Sequence, residues 1–120
     1  GCGHFKQTIV VEKNAIRITP LLVARKRFDE YYEFIKRGCS DLLRQTAEGC
    51  ESLVILDLSQ LSDLDTTWVA RLVGEVRQLG RDLEVELWAV GPRAVITTVP
   101  GQALRCFASL QEARAAESAR

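Results

Sequence analysis

The chain has 120 residues, 47% of them hydrophobic and 27% charged, and its 16 basic residues balance its 16 acidic ones. This size and composition predict one globular domain over residues 1–120, and zero net charge argues against general binding to nucleic acid. No hydrophobic run approaches the roughly 20 residues that span a bilayer, and no signal peptide is visible, so we expect a cytoplasmic protein without membrane insertion.

The first third of the chain predicts two short strands followed by a long helix. Residues 5–12 and 15–23 are rich in β-branched side chains, and Asn14 is a plausible turn between them. Gly49 fits the left-handed position that follows a helix. The hydrophobic stripe of the helix recurs at spacings of three and four residues: Phe28, Tyr31 or Tyr32, Ile35, Cys39, Leu42 and Thr46.

The middle of the chain predicts a buried strand that delivers a polar turn and then a helix. Residues 53–58 begin with an unbroken hydrophobic run, as expected for a strand covered on both faces. A second amphipathic helix follows, and Gly80 is expected to close it. Between strand and helix lie short polar residues: Asp57, Ser59, Ser62, Asp63, Asp65, Thr66 and Thr67. Such residues suit a helix N-terminus, and partners tend to meet α/β sheets at the carboxyl ends of their strands.

The last third of the chain predicts two more strands and two shorter helices. Residues 83–90 alternate in a way that indicates a half-exposed strand, and Pro92 favours a short helix near residues 93–99. Residues 106–110 form a last strand, and residues 111–120 form a weakly docked helix. The order predicts an α/β fold with a mostly parallel, mixed sheet of about five strands and roughly four to five helices mainly on one face.

The residue types argue against an enzyme. His4 is the one histidine, and the chain has neither a glycine-rich phosphate loop nor a nucleophile elbow. Asp57 ends a central strand and could accept a phosphoryl group, but the earlier segments lack the acidic metal ligands that such receivers use. The four cysteines are dispersed, which favours reduced, buried side chains over disulfides or metal ligands. We therefore expect no metal and no cofactor.

Two interpretations of the polar turn are open from the residues alone. Asp65 or Thr66 could simply cap the second helix. Alternatively, a phosphate on Thr66 or Thr67 would add about two negative charges at the helix start and so alter the docking of a partner. Binding of a nucleotide or another small molecule by the loop after Leu58 is a third option.

The stretch from residue 52 to residue 116 resembles the STAS domain, the family of bacterial anti-sigma factor antagonists and stressosome proteins. The resemblance rests on LVILDLSQLSDLDTT before a hydrophobic helix, on LEVELWAVG, on GPRAV and on FASLQEARAA. It implies the STAS fold, with Asp65 at the family's aspartate, Thr66 at its phosphorylation site and Asp57 at the acidic residue that closes the central strand. Where the antagonists have a small glycine, this chain has Trp68.

The resemblance also implies a function without catalysis. The chain would be a protein–protein interaction module in bacterial signal transduction and transcription regulation, docking through Ser62, Asp65, Trp68 and Asp57. A serine/threonine kinase would switch docking by phosphorylating Thr66, and the partner would be that kinase, an anti-sigma factor-like protein or another STAS protein. The alternative is an accessory or scaffold STAS subunit that is not phosphorylated, in a stressosome-like or transporter-associated assembly. Trp68 leaves open two roles, a half-exposed docking residue or a core residue.

Overall fold

The computed structural model describes residues 8–20, 27–62, 65–92 and 104–120, which form a five-stranded mixed sheet with helices on both faces. In chain order the elements are β1 Ile9–Glu12, β2 Ala15–Ile18, α1 Phe28–Glu48, β3 Leu53–Asp57, α2 Thr66–Leu83, β4 Glu86–Val90, β5 Arg105–Phe107 and α3 Leu110–Ser118. The strands lie in sequence order, with β1 antiparallel to β2 and the other neighbours parallel. This confirms the predicted α/β class and mostly parallel sheet.

The helix count differs from the prediction. Three helices, rather than roughly four to five, form within the described residues. The short helix predicted over residues 93–99 lies outside them, as do residues 5–7 and 21–23 of the first two predicted strands. None of the described helices is long and apolar enough to cross a membrane.

The larger part of the core lies between the sheet and the helices α1 and α2. The inward-facing residues of β2 and β3, among them Ile16, Ile18, Val54 and Leu56, are fully buried there. They pack against the hydrophobic stripes of the two helices, including Ile35, Cys39 and Leu43 of α1 and Val69, Leu72 and Val73 of α2. The periodicity that predicted these helices therefore corresponds to their buried faces.

The other face of the sheet is covered by α3, a helix that the sequence predicted over residues 111–120 without its packing on the sheet. Trp88 and Val90 of β4 are only 1% and 0% exposed, because they pack with Ile55, Ala113 and Phe107. The prediction of a half-exposed strand is therefore wrong, and so is that of a weakly docked terminal helix. Only Glu86 is exposed in β4.

The helices α1 and α2 both end later than the positions of Gly49 and Gly80 had led us to expect. Gly49 has a φ of −82°, and it is Cys50 that adopts the left-handed conformation, with a φ of 62°. Likewise α2 continues through Gly80 to Leu83, and Glu84 is left-handed with a φ of 58°. Each end is closed by the hydrogen-bond pair of a Schellman motif. At the end of α1, the N–H of residue 50 donates to the carbonyl of residue 47, and the N–H of residue 51 donates to the carbonyl of residue 46. At the end of α2, the N–H of residue 84 donates to the carbonyl of residue 81, and the N–H of residue 85 donates to the carbonyl of residue 80.

The role of Gly80 is close packing rather than helix termination. A Cβ atom at this position would lie 2.9 Å from the backbone oxygen of Val85, closer than van der Waals contact allows. The segment between α2 and β4 can therefore pack this closely against the helix only because residue 80 is a glycine, which has no side chain.

The cysteines differ in environment. Cys39 is completely buried in α1, whereas Cys50 and Cys106 are exposed, and all three are free thiols. The prediction of buried cysteines is correct for Cys39 and wrong for Cys50 and Cys106, and Cys2 lies outside the described residues.

Candidate functional site

The polar turn lies where β3 delivers the chain to α2, at the carboxyl end of the parallel strands. The loop after β3 is anchored by Leu58, whose N–H donates to the carbonyl of Val90 at 2.6 Å. Leu58 and Leu61 are 1% and 3% exposed, so they hold the loop against the core. The loop that leads to the start of α2 is therefore held in place by the core.

Asp65 precedes α2 but does not cap it. Its carboxylate accepts hydrogen bonds from the Ser62 N–H at 2.9 Å, from the Ser62 hydroxyl at 3.3 Å and from the Trp68 indole N–H at 3.1 Å. It makes no side-chain hydrogen bond to the helix N–H groups. The capping role is therefore wrong for Asp65, whose carboxylate instead joins both sides of the turn. We call Ser62, Asp65 and Trp68 the aspartate clasp.

Trp68 connects the clasp to the start of α1. Its ring makes edge-on contacts with Phe28, Tyr31 and Tyr32, at centroid distances of 6.2, 5.8 and 6.5 Å. It is half-buried against the larger core. The two roles left open for Trp68 are thus combined, because one part of the ring packs inside and the rest remains accessible.

The two threonines occupy the first two positions of α2. Thr66 is the first helical residue, and its side chain lies outside the described part of the structure. Thr67 is exposed. Asp63, which the sequence placed in the same polar cluster, also lies outside the described residues.

Asp57 does not join the clasp. It is 4% exposed, and its carboxylate accepts hydrogen bonds from the N–H of Ser59 at 3.0 Å and from the hydroxyl of Ser59 at 2.6 Å. It follows Ile55 by two positions and borders Arg17 and Leu110, on the face that α3 covers. We therefore assign Asp57 to holding the loop and leave it out of the docking surface.

A second polar group, which was not predicted from the sequence, lies beside Trp68. It consists of Tyr32, Lys36, Arg71 and Glu75. The Tyr32 hydroxyl donates to Glu75 at 2.5 Å, and the same carboxylate lies 3.7 Å from the Lys36 ammonium and 3.6 Å from the Arg71 guanidinium. Arg71 also stacks over the Tyr32 ring, 4.3 Å from its centroid. Only the Arg71 and Glu75 spacing was visible in the sequence, since the partners on α1 are brought in by packing.

The charges of this group follow from its contacts. Burial and the hydrogen bond to Glu75 raise the pKa of the Tyr32 hydroxyl. The same bond, together with Lys36 and Arg71, lowers the pKa of Glu75 in spite of partial burial. Near neutral pH the group therefore consists of a protonated phenol and an ionised carboxylate, which ties α1 to α2 beside the clasp.

The described residues include no group of three or more His, Cys, Asp or Glu side chains that could hold a metal ion. No protein-family profile matches the chain, and a search of curated proteins finds no match. The STAS assignment therefore stays a prediction from the sequence.

Proposed function

We propose that this chain is a STAS-type protein–protein interaction module of bacterial signalling, which docks its partner through the turn at the start of α2. The proposal rests on one observation above all. The Asp65 carboxylate binds both the Ser62 backbone and the Trp68 indole, so the residue before the candidate phosphorylation site controls the shape of the turn. The mostly parallel sheet and its β1–β2 hairpin are compatible with the family but do not distinguish it from other α/β folds.

The proposed switch is phosphorylation of Thr66, or alternatively Thr67, by a serine/threonine kinase. A phosphate on Thr66 adds about two negative charges next to the Asp65 carboxylate. The helix N-terminus favours this charge, but Asp65 is repelled by it. This repulsion would weaken the hydrogen bonds that Asp65 accepts from Ser62 and Trp68. Opening the clasp would then change the half-exposed surface that the partner contacts.

The partner in this proposal is the kinase itself, an anti-sigma factor-like protein or another STAS domain. A half-buried tryptophan held by neighbouring rings is a typical interface anchor, because little rotamer freedom is lost on binding. We propose that this docking takes place in the cytoplasm and involves neither nucleic acid nor membrane insertion.

A second candidate function is that of an accessory or scaffold STAS subunit that docks without phosphorylation. Trp68 itself favours it. The indole stands at the position of the antagonists' glycine, and it contacts three aromatic rings of α1. Such a packed surface could serve as a constant interface.

Binding of a candidate partner to Thr66→Ala and Thr66→Glu variants separates the two functions. A switch predicts that Thr66→Glu changes the partner's affinity by about tenfold or more, whereas Thr66→Ala binds as the unmodified protein does. Thr67→Ala and Thr67→Glu make the same comparison at the alternative site, whose side chain is exposed. Equal binding by all variants, with binding lost in Trp68→Ala, would support the constant interface instead.

A further inference from the structure

An open pocket of about 750 Å³ lies at the amino ends of the parallel strands, at the opposite end of the sheet from Trp68. Its walls come from the β1–β2 turn, the last turns of α1, the segment between α1 and β3, and the end of α3. Because α1 and α3 cover opposite faces, the pocket bridges the two layers beyond the edge of the sheet. Its volume falls within the range of ordinary small-molecule sites, about 300–1,000 Å³.

One wall of the pocket is fixed by a network of hydrogen bonds. The Asn14 amide donates to the Leu53 carbonyl at 3.1 Å and to Glu117 at 2.7 Å. Arg114 donates to Glu117 at 2.9 Å, to the Glu12 carbonyl at 3.0 Å and to the side-chain oxygen of Asn14. A wall arranged before the ligand arrives loses little conformational entropy on binding.

Two further charges border the pocket and are not used by the fold. Neither the Lys13 ammonium nor the Glu51 carboxylate makes an ion pair or hydrogen bond to any other described residue. Leu42, which is 6% exposed, contributes a hydrophobic side chain to the lining.

The charges of the lining select a class of ligand. Lys13 and Arg114 are balanced by Glu51 and Glu117, so the lining has no net charge. A simple anion would be attracted by the two basic groups but repelled by the two carboxylates, and the reverse holds for a simple cation, so neither gains much from the lining as a whole. A molecule that carries both charges can satisfy both sides at once.

We propose that this pocket binds a small zwitterion of the amino-acid or short-peptide class. The ligand's carboxylate pairs with Lys13, its ammonium group pairs with Glu51, and its side chain lies on Leu42. The site is separate from the clasp, and its occupancy does not depend on the proposed docking function.

Titration of ¹⁵N-labelled protein with L-leucine and with leucyl-leucine tests the proposal and distinguishes the two sources of the zwitterion. At least one of them should give saturable amide shifts at residues 13, 14, 51 and 118, with a Kd of about 1 mM or below, and leave residues 65–68 unchanged. N-acetyl-leucine methylamide, which has the same side chain but neither charge, should give no saturable shift.

The variants Lys13→Gln and Glu51→Gln should each weaken binding by about tenfold, because each removes one charge-assisted contact. Both positions are exposed, so the fold should be retained, and Glu48→Gln is the matched control at an exposed glutamate outside the lining. Absence of saturable shifts with both probes, equal binding of the capped compound, or full binding by Glu51→Gln would overturn the proposal.

Discussion

The bond between Asp65 and Trp68 can be measured as a coupling energy. Asp65→Ala leaves the Ser62 N–H and the Trp68 indole N–H without the acceptor they share. A hydrogen bond to a charged group contributes about 1.5–3 kcal/mol, which we reduce to about 1 kcal/mol for each bond because both side chains are half-exposed. Asp65→Ala should therefore lower the free energy of unfolding by about 2 kcal/mol. Trp68→Phe, which keeps a ring but lacks the N–H, should lower it by about 1–2 kcal/mol.

The double variant decides whether the two residues act together. If the clasp exists, Asp65→Ala with Trp68→Phe should cost about 1 kcal/mol less than the sum of the single variants. Urea unfolding followed by far-ultraviolet circular dichroism gives the energies without relying on tryptophan emission. Asp65→Ala with Gln78→Ala, an exposed position further along α2, is the control and should be additive. Additivity within about 0.3 kcal/mol for the tryptophan pair would refute the clasp and leave Asp65 without a measurable bond to Trp68.

Three further predictions concern the fold. Gly80→Ala should lower the free energy of unfolding by about 1–2 kcal/mol, because the new Cβ would lie 2.9 Å from a backbone oxygen. At Gly74 in the same helix a new Cβ would meet no atom within 4 Å beyond the local helix backbone, so Gly74→Ala should raise the free energy of unfolding by up to about 1 kcal/mol. A reversed order of the two variants in urea unfolding would contradict both expectations. Burial raises the pKa of the Cys39 thiol to about 12, so iodoacetamide labelling with peptide mapping should modify Cys50 in the native protein and Cys39 only after unfolding. Burial alone would raise the pKa of Glu117, but hydrogen bonds from neighbouring side chains outweigh burial and lower this pKa. The stabilisation that the ionised Glu117 carboxylate gives the fold is therefore present above the ordinary pKa of 4.5. It is lost as the pH falls through the lower pKa that Glu117 has in the folded protein. Glu117→Gln should therefore flatten the decline of stability in acid, and an unchanged decline would contradict this.

The sequence predicted best what depends on local pattern. The continuous hydrophobic run of β3 corresponds to a strand buried at every position, and the stripe of α1 corresponds to its buried face. The turn at Asn14 is also confirmed, since Lys13 there adopts a left-handed φ of 57°. In each case the residues that specify the element lie within it, so no distant contact was needed.

Predictions failed where a distant element decides the outcome. The face of β4 that carries Trp88 and Val90 is covered by α3, which is docked by contacts that span most of the chain. The hydrophobic character of those two residues was the available signal, but alternation with Glu84 and Glu86 suggested an exposed face. At the helix ends, Gly80 is required by the neighbouring carbonyl of Val85, not by a left-handed turn.

In the candidate site, too, the features set by neighbouring residues could be predicted and those set by distant contacts could not. The order of an aspartate, a threonine and a helix start could be read directly from the sequence, and Thr66 does begin α2. The bond from Tyr32 to Glu75 joins residues 43 positions apart, and that from Asn14 to Glu117 joins residues 103 apart. No local pattern links such pairs, so the group beside the clasp and the wall of the zwitterion pocket emerged only from the fold.

The most direct test of the proposed switch combines phosphorylation with the indole N–H signals of the two tryptophans. The protein is incubated with ATP and a candidate serine/threonine kinase, and the product is mapped by mass spectrometry and by ¹H–¹⁵N NMR. We expect one phosphate on Thr66 or Thr67 and a shift of the signal from the Trp68 indole N–H, which donates to Asp65. The Trp88 indole N–H, which donates to Glu86 on the other face of the sheet, should stay in place and serves as the internal control. No phosphate at either threonine, or a phosphate that leaves the Trp68 signal unchanged, would contradict the proposed switch.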